Sequence, residues 1–282
     1  MEIFSGRINT SLEGISDMLL ARDESALLCT AREQIELGAQ AIVLNCATHL
    51  STEIDDMEWM IHTLQASLNV PLIPDSPNPD LHREALKYIR CERPIVNSTT
   101  LEAERIRRLL PCVKEHNARL IVLLHDESGM PACVEDRLRM LPKVENLMRE
   151  YSLSYSDIYL DPLMFPISVD EENAVTFVRS LQQIRQLEPR FQFICGLDNI
   201  SYGMPASEII NVAMLYMLAG NNMEAVLTAL TPQNAPFIIA MQAMTGQEGG
   251  TLSYIREYRR KRLNVLREDA VYKNAWLQNS DL

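Results

Sequence analysis

Four short apolar runs decide how this chain folds: PLIPDS (71–76), PIVNS (94–98), IYLDP (158–162) and FICGLDN (193–199). Each is rich in Ile, Leu, Val or Phe, and each ends on or beside an acid or amide: Asp75, Asn97, Asp161 and Asn199. Strands buried on both faces of a parallel sheet read this way, with polar side chains gathered at their carboxyl ends. If such strands close one barrel, the four side chains line a single mouth, where the loops after the strands build active sites. Two carboxylates and two carboxamides suit a neutral, nitrogen-rich heterocycle better than a phosphate or a metal ion.

Outward from these runs, strand-like and helix-like stretches alternate along the whole chain. Strands are expected at EIFSGRIN (2–9), AIVLN (41–45), PLIPD (71–75), PIVNS (94–98), RLIVLLH (119–125), DIYLDP (157–162), FQFICGLDN (191–199) and AVLTAL (225–230). Between them, residues 53–68 set Met57, Met60, Ile61, Leu64 and Leu68 on one face at helical spacing, and residues 101–116 do the same with Ile106, Leu109, Leu110 and Val113. Pro142 predicts a kink or break in the helix expected over 133–150. Eight strands with intervening helices imply a (β/α)8 TIM barrel, and a chain of 282 residues suits one such domain over 1–282. Periodicity cannot show closure, so a doubly wound sheet stays open as the alternative.

Composition narrows the function. A net charge of −12 argues against nucleic acid and against an anionic membrane surface. No apolar stretch approaches a membrane span. The start, MEIFSGRINTSLEG, carries an early acid and no long apolar core, so it does not read as a signal peptide. Six cysteines at positions 29, 46, 91, 112, 133 and 195 form no CxxC, which suggests neither a disulfide framework nor a zinc ribbon. A soluble protein of the reducing cytoplasm is the expectation.

Other polar groups compete with the four strand-end residues. Asp75, Ser76 and the Ser98-Thr99-Thr100 run precede helices, so they have a simple reading as N-caps. Cys46 and His49 have ligand-like spacing, but one pair without a second cluster is a weak zinc signature, and no metal is expected. His125-Asp126-Glu127 offers an acid/base group. No GxSxG, GxGxxG or GxxxxGK[ST] motif is present, and no cysteine sits beside an obvious base. The basic run REYRRKRL (256–263) reads as a solvated helix, and the methionines at 214, 217, 223, 241 and 244 as packing residues.

Taken in order, GRIN (6–9), DS (75–76), NST (97–99), DPL (161–163), GLDNIS (196–201) and IIN (209–211) resemble the methyltetrahydrofolate–corrinoid protein methyltransferases, a branch of the pterin-binding barrels. The resemblance runs over essentially the whole chain. It implies that Asp75, Asn97, Asp161, Gly196, Asn199 and Tyr202 contact a pterin, with Asn199 facing N5, the atom that carries the methyl group. It further implies tetrahydrofolate or 5-methyltetrahydrofolate as substrate and a corrinoid (cobalamin) carried by a separate partner protein. Transfer would be by direct displacement, and a homodimer is expected. Dihydropteroate synthase shares the barrel and pocket, but it needs cations for a leaving diphosphate and a Gly/Ser/Thr-Arg-Pro loop after the second strand. That loop here reads NCATHLST. A non-catalytic pterin-binding protein is the remaining alternative.

The chain departs from the family pattern at four places: Gly6 where Glu is common, Val43 where an acid is common, Ser207 where Arg is common, and Asp198 where Ser is common. Loss of the Arg puts the anchoring of the folate tail in question. Two acids lost and one gained suggest a retuned site.

Overall fold

In the computed structural model, which describes residues 1–247, 249–260 and 263, eight parallel strands pair in chain order and the last pairs with the first. The strands are β1 (Glu2–Asn9), β2 (Ala41–Asn45), β3 (Leu72–Asp75), β4 (Ile95–Thr99), β5 (Arg119–Leu123), β6 (Ile158–Asp161), β7 (Gln192–Gly196) and β8 (Ala225–Thr228). Closure satisfies every strand edge and decides against the doubly wound sheet. The helices between them are α1 (Ile15–Leu20), α2 (Glu24–Glu36), α3 (Glu53–Ser67), α4 (Pro79–Ala85), α5 (Ala103–Glu115), α6 (Val134–Glu150), α7 (Asn173–Leu187) and α8 (Ser207–Gly220).

The barrel, Met1–Thr231, is one compact unit. The described residues from Pro232 onward form a second, which holds α9 (Ala235–Met244) and α10 (Gly250–Arg259). The first four residues of REYRRKRL end α10 and Arg260 caps it, and its residues 261 and 262 lie outside the described residues. Among the described residues no helix is long and apolar enough to cross a membrane.

Inward-facing strand residues fill the barrel: Phe4, Val43, Ile73, Ile95, Ile121, Tyr159 and Ile194 form one buried cluster, with Leu123 and Leu227 packed on it. The alternate residues face the helices, and Ile42, Leu44, Val96, Leu120, Val122 and Leu160 are all fully buried there. Burial on both faces is why these strands read as continuous apolar runs.

Two expectations need correction. The seventh run does not continue as a strand to Asn199: β7 ends at Gly196, and Leu197–Ser201 turn as a 3-10 helix. The helix around Pro142 is not broken, since α6 runs from Val134 to Glu150 through it, as α5 runs through Pro111. A helical proline forfeits one backbone hydrogen bond, and the apolar face around it outweighs that loss: Met140, Leu141, Val144, Leu147 and Met148 are buried.

Candidate active site

At the carboxyl end of the barrel a cavity of about 230 Å³ is lined by Asp75, Asn97, Asp161, Gly196 and Asn199, with Ile121, Leu123, Ile194 and Leu227 among its apolar walls. Five of the six residues expected at the site therefore meet in one cavity. Tyr202 does not; it caps the 3-10 turn, is 77% exposed, and is absent from the lining.

The register explains why the acids converge. Asp75 is the last residue of β3 and lies beside Asn45 on β2 and Asn97 on β4. One oxygen of Asp75 accepts from the Asn45 side-chain amide at 2.9 Å. The oxygen of that amide accepts from Ala47 N–H at 3.1 Å, which turns its NH2 toward the carboxylate. Sequence reasoning passed over Asn45, although it closes the AIVLN run as Asn97 closes its own. Asp161 accepts from Leu163 N–H at 2.8 Å through Oδ1. The side chains of Asn97 and Asn199 have no hydrogen-bond partner among the described residues, and the Asn97–Ser98 peptide is cis.

Burial governs the charge of the two acids. It raises Asp75 to about 6, against the lowering effect of the Asn45 bond. It raises Asp161 to about 7, against the Leu163 N–H and the positive charge of Arg137. Both carboxyls thus hold their protons close to neutral pH and gain from a ligand that donates to them. Burial, with Asp161 and Asp198 nearby, also holds the Cys195 thiol in the pocket wall well above its ordinary value, so it remains a protonated, poor nucleophile.

Gly196 has a steric reason to be glycine. The 3-10 turn folds the Asn199 side chain back over it, and a Cβ at 196 would lie 2.9 Å from Asn199 Nδ2. The acid gained at position 198 does not retune the pocket. Asp198 accepts from Asn211 at 2.9 Å, Thr228 Oγ1 at 2.8 Å and Ala229 N–H at 3.1 Å, so it ties the turn to α8 and to the segment that ends β8.

The competing groups are engaged elsewhere. The helix caps are Asn78 for α4 and Glu102 for α5, not Asp75 or the Ser98–Thr100 run. Cys46 donates to the Glu53 carbonyl, and burial pushes its thiol up to about 12. His49, in the loop after β2, bridges Asp56 of α3 at 2.7 Å and Ser16 of α1 at 2.8 Å. Asp126 is held at about 2 by Lys143 and Ser128, which makes it an ion-pair anchor to α6 rather than an acid or base. No cluster of His, Cys, Asp and Glu able to hold a metal exists among the described residues.

Carboxylates and carboxamides converge on a small, apolar-walled mouth of a closed (β/α)8 barrel, a set of donors and acceptors that suits a polar heterocycle. The family described as "Pterin binding enzyme" matches residues 5–231, and the chain belongs to that family. It is 25% identical over 268 residues to a methylcorrinoid:tetrahydrofolate methyltransferase of Eubacterium limosum, covering 93% of this chain and 98% of that protein. A methionine synthase of Mycobacterium tuberculosis is 23% identical over 219 residues; the match covers 72% of this chain but only 18% of that much longer protein. Among solved structures, a 7,8-dihydropteroate synthase from Vibrio fischeri superposes with a TM-score of 0.66 at 12% identity, over 87% of this chain and 93% of that one. The dihydropteroate synthase from Coxiella burnetii, solved with pteroic acid, gives 0.64 at 13% identity, over 87% and 92%. At these identities the structural likeness speaks for the barrel alone.

Proposed function

We propose that this chain is a methyltransferase that moves a methyl group between N5 of tetrahydrofolate and the cobalt of a corrinoid carried by a separate protein. The observation that carries this reading is Asn199, an unpartnered amide folded over Gly196 into the same pocket as Asp75, Asn97 and Asp161. A pterin's pyrimidine edge offers N3–H and a 2-amino group, and the Asp161 carboxylate accepts both. Asp75 takes a further ring N–H, and Asn97 donates and accepts where ring nitrogens alternate in character. Charge-assisted bonds of this kind contribute roughly 1.5–3 kcal/mol each, and the apolar walls cover the ring faces.

The Asn199 amide then lies against N5. A tertiary amine leaves poorly unless its nitrogen is protonated or strongly hydrogen-bonded, and the amide oxygen favours the N5–H⁺ form that develops in the transition state. Water supplies the proton, since an amide cannot. Cys195, the cysteine of the pocket lining, is held protonated by burial, and a direct displacement needs no methyl carrier on the enzyme. Similarity to the Eubacterium limosum methyltransferase supports the corrinoid as the other substrate. A diphosphate-releasing reaction of the dihydropteroate synthase kind lacks cations in the pocket lining. We place the protein in the cytoplasm as a homodimer.

The test is methyl transfer between 5-methyltetrahydrofolate and free cob(I)alamin in place of the partner protein. Turnover that is lost in Asn199→Ala supports the proposal. Tight tetrahydrofolate binding with no transfer to cob(I)alamin, or to any corrinoid protein encoded beside it, would leave a binding protein instead.

A further inference from the structure

Arg137, on α6, heads the largest side chains that the barrel buries completely, at 1% exposure, and it forms no ion pair among the described residues. Its guanidinium donates only to backbone carbonyls: Nε to Pro162 at 2.6 Å, Nη2 to Leu163 at 2.9 Å, and Nη1 to Cys133 at 3.1 Å. The Phe165 ring stands 5.6 Å from its Cζ. A buried cation without a carboxylate partner is costly, so its retention calls for a compensating charge nearby. Pro162 and Leu163 directly follow Asp161. Leu163 has a left-handed φ of 64°, a conformation that an L-residue holds only when its surroundings enforce it. In that conformation its N–H returns to Asp161 Oδ1 at 2.8 Å.

We propose that Arg137 is a positioning residue for pterin recognition: it clamps the Pro162–Leu163 turn so that Leu163 N–H fixes one Asp161 oxygen, and its charge compensates the Asp161 carboxylate. The inference rests on the reading of Asp161 as the pterin acceptor. The groups that act on Asp161 are few. Arg137 faces it from α6 and the protonated Cys195 thiol from β7, Asp75 lines the same pocket from β3, and His125 follows the end of β5. Asp136, the other carboxylate near Arg137, is taken by Arg139 at 3.0 Å and by the N–H groups of Ala132 and Cys133.

The experiment is calorimetric binding of tetrahydrofolate as a function of pH to wild type, Arg137→Gln, Arg137→Lys and Asp161→Asn. Wild-type affinity should fall below a midpoint near neutrality as Asp161 takes up its proton. Arg137→Gln should move that midpoint upward by about one pH unit or more, because a positive charge that favours the carboxylate is gone. Arg137→Lys should keep the midpoint yet bind several-fold more weakly above it, since a point charge cannot clamp two carbonyls at once. A merely structural role would weaken both variants equally and leave the midpoint in place, which overturns the proposal. Undiminished affinity in Arg137→Lys overturns it too, whether or not Arg137→Gln folds. If Asp161→Asn binds as wild type does, the pterin reading of Asp161 fails first; if only Asp161→Asn loses affinity, Arg137 alone is misassigned.

Discussion

Replacing Asp161 by Asn should weaken the ligand and strengthen the fold, two effects of opposite sign from one atom. In the ligand-free protein the carboxyl is buried and raised to about 7, whereas in the unfolded chain it titrates near 4. A folded-state value above the unfolded one means that the native protein holds the proton longer. Stability therefore falls as pH rises from about 4 to about 7 and is level beyond. At about 1.4 kcal/mol per pH unit the full cost approaches ~4 kcal/mol; the open mouth admits water, which brings a realistic figure to roughly 1–3 kcal/mol. Asn keeps an oxygen for Leu163 N–H and carries no charge, and because the burial cost of the carboxylate outweighs its attraction to Arg137, at pH 8 the variant should unfold at higher denaturant concentration than wild type. The gain should shrink to nothing near pH 4. Affinity for tetrahydrofolate should drop by roughly 2–3 kcal/mol at pH 8, because two pterin donors lose one charged acceptor. Urea titrations at several pH values and calorimetry on the same preparations decide the matter. A variant less stable at pH 8, or one of unchanged affinity, refutes the reasoning.

Asn199→Ala should lower the single-turnover rate of methyl transfer by roughly 10²–10³-fold while tetrahydrofolate affinity changes little, by analogy with loss of one oxyanion-hole donor; a collapse of binding with a preserved rate would make Asn199 an anchor. Gly196→Ala should reproduce that rate defect with Asn199 intact, since its Cβ would stand 2.9 Å from the amide and must displace it; wild-type turnover in Gly196→Ala sinks the steric argument. Asn45→Ala removes the bond that lowers Asp75, so pterin affinity should weaken more at pH 6 than at pH 8, as a pH series of binding isotherms would reveal. No stoichiometric metal should co-purify, and elemental analysis with about one zinc per chain, activity being lost to chelators, would contradict this.

Much of the barrel was legible in the chain itself. A strand buried on both faces has to be apolar throughout, which is why runs such as AIVLN and RLIVLLH mark β2 and β5 to within a residue or two. A polar residue that ends such a run can only face the barrel mouth or cap a helix, and this picked out Asp75, Asn97 and Asp161. Closure was not in the pattern, because pairing β8 with β1 joins residues more than two hundred positions apart. Nor was the end of β7: Leu197 and Asn199 fit a strand by composition, and only the tertiary path turns them into a 3-10 helix that lays an amide over Gly196. Asp198 reads as a new site acid in the sequence, and only the fold brings its partners on α8 and at the end of β8 within hydrogen-bonding range. Arg137 was invisible for the complementary reason. On a helix written VEDRLRMLPK an arginine reads as solvated surface, and nothing local reports that its guanidinium is buried beneath the turn that follows Asp161. Local composition fixes which residues must be buried or must end a strand; which polar groups then meet depends on long-range packing, which no window of sequence contains.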